Sequence, residues 1–219
     1  MTTNRLLAGA LAGLIAAGMG AAVAAETRVA PKVSLEARLG AMSQDPKAME
    51  AGIKAGKKVA SFCFNCHGNS GNSARPDVPN LAGQHPAYLL EQMKKFSDGR
   101  RRNVFMEGMI KAMSDEEKVN TVAYFASQEV TPHAVANPAL ASHGKDLFYK
   151  ICWRCHGNEG RGNEKIARIA GQQPEYLTLT LKRYRDRTGE RIDPFMAAST
   201  ENLTDADINS LVAFVSGMK

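Results

Sequence analysis

Residues 61–70 read SFCFNCHGNS, and residues 151–160 read ICWRCHGNEG. Each stretch holds two cysteines three positions apart, with a histidine directly after the second. Three chemistries use such a pattern: a zinc site, a thiol redox pair and a covalently attached haem. The surroundings of the two motifs decide between them.

All four cysteines of the chain lie inside these motifs, so none is left over for a disulfide framework. Thiol oxidoreductases place C-x-x-C after a strand of an α/β unit, and no strand pattern precedes either motif. Two C-x-x-C pairs could make a Cys₄ zinc site, but zinc does not require a histidine after each pair. Attached haem requires every part. Two thiols add to the two vinyl groups on one porphyrin edge, two intervening residues span the gap, and the adjacent histidine swings beneath the ring to ligate iron. The motifs therefore predict two covalently bound haem c groups, one on Cys63 and Cys66 with His67 as iron ligand, the other on Cys152 and Cys155 with His156.

The chain is a tandem repeat. Cys63, Cys66 and His67 match Cys152, Cys155 and His156 at an offset of 89; LAGQHPAYL (81–89) matches IAGQQPEYL (169–177) at 88; FMEGMIKAMSDEE (105–117) matches FMAASTENLTDAD (195–207) at 90. A period this long is a whole domain rather than a solenoid unit. The repeat also selects the second axial ligand. Met93, Met109 and Met113 fall opposite Leu181, Ser199 and Leu203 and read as packing residues; Met106 alone falls opposite a methionine, Met196. These two are the expected axial ligands. His85, His133 and His143 do not recur and read as surface residues.

The chain opens MTTNRLLAGALAGLIAAGMGAAVAAE, a single arginine before an apolar run and then small residues. That is the anatomy of a secretory signal over residues 1–25, cleaved before Ala25 or Glu26; a retained anchor is the alternative. Cleavage removes Arg5 and no acid, so the formal charge falls from +6 to +5. About 190 residues then remain, enough for one ordinary domain or two small ones. No basic run interleaves with aromatics and export opposes the encounter, so nucleic acid is excluded as a partner. No other stretch could span a bilayer. The expected layout is an extension over 26–48, a first domain over 49–131, a linker over 132–136 and a second domain over 137–219.

The pattern is all-α. KAMEAGIKAGKKVASF (47–62) and PALASHGKDLFYKI (138–151) lead into the two motifs, middle helices run over 88–97 and 176–187, and KVNTVAYFAS (118–127) and INSLVAFVSG (208–217) close the halves. Asn137-Pro138 reads as an N-cap with proline at the first helical position. Ser114–Glu117 has capping-box spacing, and Thr204–Asp207 is a weaker version. SLEARLGAMSQ (34–44) predicts a short amphipathic helix covering part of the first domain, with partner docking as the alternative role. Each half is near the lower size limit for a self-sufficient core, which a large flat cofactor would complete.

With the paired C-x-x-C-H-G, PNLAGQ (79–84) followed by Tyr88-Leu89, FM ahead of an S/T-D helix start, and VAYFAS (122–127), the chain resembles the dihaem cytochrome c4 family from about Met49 onward. The resemblance implies two tandem class I cytochrome c-like domains, haems close together near the domain interface, and proximal histidines donating to a proline carbonyl. Pro79 fits that last role; its repeat counterpart is Ala167. It also implies a periplasmic carrier passing single electrons from respiratory donors to a terminal oxidase or reductase. Arg100, Arg101 and Arg102 in one half, and Lys182, Arg183, Arg185, Arg187 and Arg191 in the other, would suit redox partners with acidic docking surfaces, or are solvated helix ends. The alternative function is the cytochrome subunit of a flavocytochrome-type dehydrogenase of sulfide or a related compound. A dihaem peroxidase needs a vacant iron position, which paired methionines oppose.

Overall fold

A computed structural model describes Met1, residues 33–189 and residues 191–219. The export signal expected over residues 1–25 lies outside the described residues. Ser34 caps the first helix, α1 (Leu35–Gln44), by accepting the Ala37 N–H at 3.1 Å. Asp45 then caps α2 (Pro46–Val59), which has proline in its first turn. Leu39 is buried, and Leu35 and Met42 pack beside it, so α1 covers α2, α4 (Pro86–Asp98) and α6 (Asp115–Ala126). That is the covering role expected of the extension.

Each half repeats one plan. In the first, α2 runs through a 3₁₀ turn (Ala60–Cys63) into the one-turn helix α3 (Phe64–His67), then come α4, α5 (Val104–Ala112) and α6. In the second, α7 (Pro138–Leu147) runs through a π turn (Phe148–Cys152) into α8 (Trp153–His156), followed by α9 (Pro174–Arg185), α10 (Pro194–Thr200) and α11 (Asp205–Val215). Among the described residues the only strand-like pairing is an antiparallel bridge between Arg101 and Arg191. The short helices α5 and α10 went unassigned in the sequence, because each is too brief to show a helical period.

One step in the drifting repeat offset has a structural explanation. Gly56 matches Gly144 at 88, whereas Cys63 matches Cys152 at 89. The additional residue is absorbed where the first half has a 3₁₀ turn and the second a π turn, which is how single-residue insertions into helices are usually accommodated. Both terminal helices open on complete capping boxes: Ser114 with Glu117, and Thr204 with Asp207, which the sequence alone ranked weaker.

The first and last helices of each half pack face to face, α2 on α6 and α7 on α11. A Cβ on Gly56 would lie 2.0 Å from the Asn120 carbonyl oxygen, and one on Gly144 would lie 1.9 Å from that of Ser210. Only glycine permits such approach, and the obstacle is backbone, which cannot rotate aside. Around these crossings sit two separate cores. One gathers Leu90, Val119, Val122, Tyr124 and Phe125; the other gathers Phe148, Leu177, Ile208, Leu211 and Val215. Cys63 and Phe64 pack against the first, Ile151 and Cys152 against the second, so each motif is fixed to its own core.

The halves meet through buried amides. Gln84 accepts the Arg168 N–H at 2.8 Å and donates to the Arg168 carbonyl at 3.0 Å. Gln172 does the same to Asn80, at 2.6 and 3.1 Å. Asn80 also donates to the Gly171 carbonyl at 2.8 Å, and Gln173 donates to the Ser73 carbonyl and to Asn80 Oδ1. Gln84, Gln172, Gln173 and Asn80 are all buried, so these bonds stay out of competition with water.

Gly144→Ala should destabilise the protein at the upper end of the about 1–3 kcal/mol that overpacking costs. Guanidinium unfolding should show this as a lowered midpoint, whereas Gly40→Ala, where a Cβ meets nothing within 4 Å, should leave the midpoint unchanged or raised.

Candidate functional site

The motif histidines are 7% and 8% exposed, and each is locked by one hydrogen bond. His67 Nδ1 lies 2.9 Å from the Pro79 carbonyl oxygen, and His156 Nδ1 lies 2.8 Å from that of Ala167. A carbonyl only accepts, so Nδ1 carries the proton and Nε2 keeps its lone pair. Burial lowers both pKa values, with the carbonyl bonds pulling the other way, which keeps the rings neutral. A neutral imidazole with a free Nε2 is a metal-ligand state. Alanine at 167 supplies the carbonyl as well as proline does at 79, since the bond uses only backbone.

Each histidine ends its one-turn helix on a glycine of positive φ, Gly68 at 76° and Gly157 at 79°. At Gly68 a Cβ would also lie 2.1 Å from the Asn72 carbonyl oxygen. The chain therefore reverses directly after the histidine and returns its loop over the ring. No disulfide joins any of the four cysteines, which leaves both pairs available for thioether attachment. Burial pushes the Cys63 thiol up and the Cys152 thiol up to about 11, with the neighbouring cysteine adding to both. Among the described residues no three His, Cys, Asp or Glu side chains converge, so the two pairs do not form one Cys₄ site.

Met106 and Met196 occupy equivalent, pinned positions. The Asn103 side chain caps α5 by accepting the Met106 N–H at 3.0 Å, and Asp193 caps α10 by accepting the Met196 N–H at 3.0 Å. Each methionine thus sits in the first turn of a short helix, held by its own cap. Met93 packs against the first core and its counterpart Leu181 against the second, as their pairing implied.

Two residues that the sequence placed in basic docking runs lie elsewhere. Arg101 and Arg191 form the bridge between the halves and share one phenol: Arg101 donates to Tyr176 at 3.2 Å and to Gln92 at 3.0 Å, Arg191 to Tyr176 at 3.1 Å and to Tyr88. Arg101 lies over the Phe96 ring and Arg191 over the Tyr184 ring. Among the described residues neither has a carboxylate within ion-pair distance. Burial raises the Tyr176 phenol, yet the two guanidinia pull it below its ordinary value, to about 8. The remaining basic residues are largely neutralised: Arg100 pairs with Asp98 and Glu91, Arg102 with Glu107, Lys182 and Arg185 with Asp205, and Arg187 with Glu201. Most of these basic residues are thus paired locally while Arg183 stays exposed, and the exposed large apolar side chains flanking the methionines are Val104, Phe105, Ile192 and Phe195.

Two of the three spare histidines also depart from expectation. His85 Nδ1 and His133 Nε2 are buried without a hydrogen-bond partner, and only His143 is exposed, beside Asp207 at 3.4 Å. The signal that could have found Arg101 and Arg191 was the repeat itself, since they share the offset of 90 with Met106 and Met196.

The donor set fits two haems. Each half offers a thiol pair, a neutral buried imidazole and a pinned thioether, and the interface offers two guanidinia that no carboxylate among the described residues pairs, a charge haem propionates would balance. The comparisons agree. The family model for cytochrome c matches residues 53–129 and again 141–219. A cytochrome c4 of Thiocapsa roseopersicina is 34% identical over 187 residues, covering 80% of this chain and 93% of its own. The crystal structure of reduced recombinant cytochrome c4 from Pseudomonas stutzeri aligns with a TM-score of 0.69 at 31% identity, covering 76% of this chain and 98% of that one. A thiosulfate dehydrogenase electron acceptor of Thiomonas intermedia is 28% identical over 182 residues, 77% of this chain and 83% of its own.

Asn103→Ala and Asp193→Ala should each cost about 1 kcal/mol of stability, the usual worth of a side-chain N-cap. Denaturant titration of each variant beside the parent protein checks this, and the serine replacements should recover most of the loss.

Proposed function

The chain belongs to the cytochrome c family, in its dihaem cytochrome c4 branch, and from that premise we propose how its own residues hold and use the cofactor. The protein carries two covalently bound haem c groups and transfers electrons rather than transforming a substrate. Cys63 and Cys66 would attach one group, with His67 and Met106 as its iron ligands; Cys152 and Cys155 would attach the other, with His156 and Met196. Each bound haem supplies a one-electron iron couple.

The chain's residues set how that couple behaves. His67 and His156 are oriented by the Pro79 and Ala167 carbonyls, and their protonated Nδ1 commits Nε2 to the metal side. Met106 and Met196 bring neutral thioethers, which favour the ferrous state and raise the reduction potential. With a histidine and a methionine both bound, the iron would have no position open for oxygen or peroxide. Arg101, Arg191, Tyr88 and Tyr176 would supply the cationic and hydroxyl groups to hold propionates between the halves. Domain limits of 49–131 and 137–219, joined by 132–136, suit this division.

The single observation that carries this reading is the duplicated lock: two motif histidines, both buried, both donating Nδ1–H to a backbone carbonyl. We place the protein in the periplasm, exported by the signal over residues 1–25. No helix among the described residues is long and apolar enough to cross a membrane. Its partners are redox proteins, a respiratory donor and a terminal oxidase or reductase, meeting the apolar surface around Phe105 and Phe195 more than a basic field.

A second reading follows from the Thiomonas relative, whose name makes it an electron acceptor for thiosulfate dehydrogenase. Service to a sulfur-compound dehydrogenase, whether as a diffusing acceptor or as a bound flavocytochrome-type subunit, uses the same ligands. A bound subunit would co-purify with its dehydrogenase, and a free carrier would not.

The ferric protein should show two haems per chain and the weak near-infrared sulfur-to-iron band for both. Met106→Ala and Met196→Ala should each remove about half of that band and lower one reduction potential. A variant that keeps the full band names the wrong ligand.

A further inference from the structure

The peptide group that receives His67 is held from the other half of the molecule. Pro79 supplies the carbonyl that accepts His67 Nδ1–H, and the N–H of that same peptide unit belongs to Asn80, which donates to Gln172 Oε1 at 2.6 Å. The counterpart is built identically. Ala167 accepts His156 Nδ1–H, and the N–H of its peptide unit, on Arg168, donates to Gln84 Oε1 at 2.8 Å. Each glutamine then closes a second bond to the carbonyl of the same residue, 80 or 168. Each amide oxygen also receives a backbone N–H from the next residue of its own loop, Gln173 at 2.9 Å and His85 at 3.1 Å. The side-chain amides are thus fixed in direction.

We propose that Gln84 and Gln172 are positioning residues that act crosswise, each tuning the proximal histidine of the opposite half through one peptide unit. This rests on His67 and His156 being axial ligands. The physical route is hydrogen-bond polarisation. A peptide whose N–H is donated becomes a stronger acceptor at its carbonyl, because successive bonds in a chain reinforce one another in a low-dielectric interior. Gln172 therefore strengthens the Pro79 carbonyl's hold on the His67 proton and makes that imidazole a better electron donor to iron. A better donor favours the ferric state, so each glutamine lowers the potential of the haem it does not share a half with.

The arrangement is more than interface adhesion. Adhesion is also served by Gln173, which donates to the Ser73 carbonyl and to Asn80 Oδ1 without touching the Pro79–Asn80 peptide group. Gln173 has His85 as its counterpart, whereas Gln84 and Gln172 are the same residue at the same position in both halves. The duplicated part is the relay.

The test is a redox titration of the holoprotein followed by proton NMR. The ε-methyl signals of Met106 and Met196 in the reduced protein report each haem, each assigned by its loss in the corresponding Met→Ala variant. Gln172→Leu should raise the reduced-to-oxidised ratio of the first-half haem by about two- to tenfold at fixed potential, and leave the second-half haem unmoved. Gln84→Leu should do the reverse, and Gln173→Leu should move neither. Should leucine loosen the interface, Gln172→Glu keeps an oxygen facing the Asn80 N–H and adds negative charge. It should lower the first-half potential more than the second. A shift confined to the variant's own half, no shift in either, or an equal shift from Gln173→Leu overturns the relay. Two ligated methionine signals in the parent protein with no crossed shift sink the relay alone. Absence of those signals sinks the ligand reading and the relay with it.

Discussion

Each half of this chain must build a stable site from too few residues, and that constraint shapes the rest. The two cores are small and separate, and each has its C-x-x-C-H turn packed on one side. A flat apolar ring, tied by two thioethers, supplies the burial that so short a segment lacks. The glycine crossings at Gly56 and Gly144 follow from the same economy. They let the first and last helices of each half touch backbone to backbone, so the motif leaves the crossing at a fixed angle.

The interface between the halves carries more chemistry than either surface. Two arginines with no ion-paired carboxylate among the described residues, three tyrosines and four buried amides meet where the resemblance places the haem edges. Two half-buried guanidinia side by side repel unless anions arrive, and propionates are the anions a haem brings. The outer basic residues are mostly spent on local ion pairs worth little each in water. Charge is thus concentrated between the cofactors, and the exposed rims near Met106 and Met196 are apolar.

The family and its cofactor were legible in the sequence, because covalent attachment needs fixed residues at fixed spacing and the repeat tests each candidate twice. Met106 stood apart from Met93, Met109 and Met113 for that reason alone. Helix boundaries marked by Ser114, Asn137 and Thr204 were legible too, since caps are local. What escaped were contacts across the chain. Arg101 and Arg191 look like their charged neighbours until the fold sets them against each other. His85 and His133 carry no local sign that the fold buries one ring nitrogen of each. The relay escaped for the same reason: Gln84 and Gln172 belong to a repeated loop, and nothing in that loop says its amide serves the other half.

The central claim is that each half is organised around its own covalently held haem, and peptide mapping of the purified protein tests it most directly. Proteolysis and mass spectrometry should recover two haem-bearing peptides, one containing Cys63 and Cys66 and one containing Cys152 and Cys155, with no thiol open to alkylation after denaturation. Recovery of either pair as alkylated cysteines, or of a disulfide between them, would contradict the account.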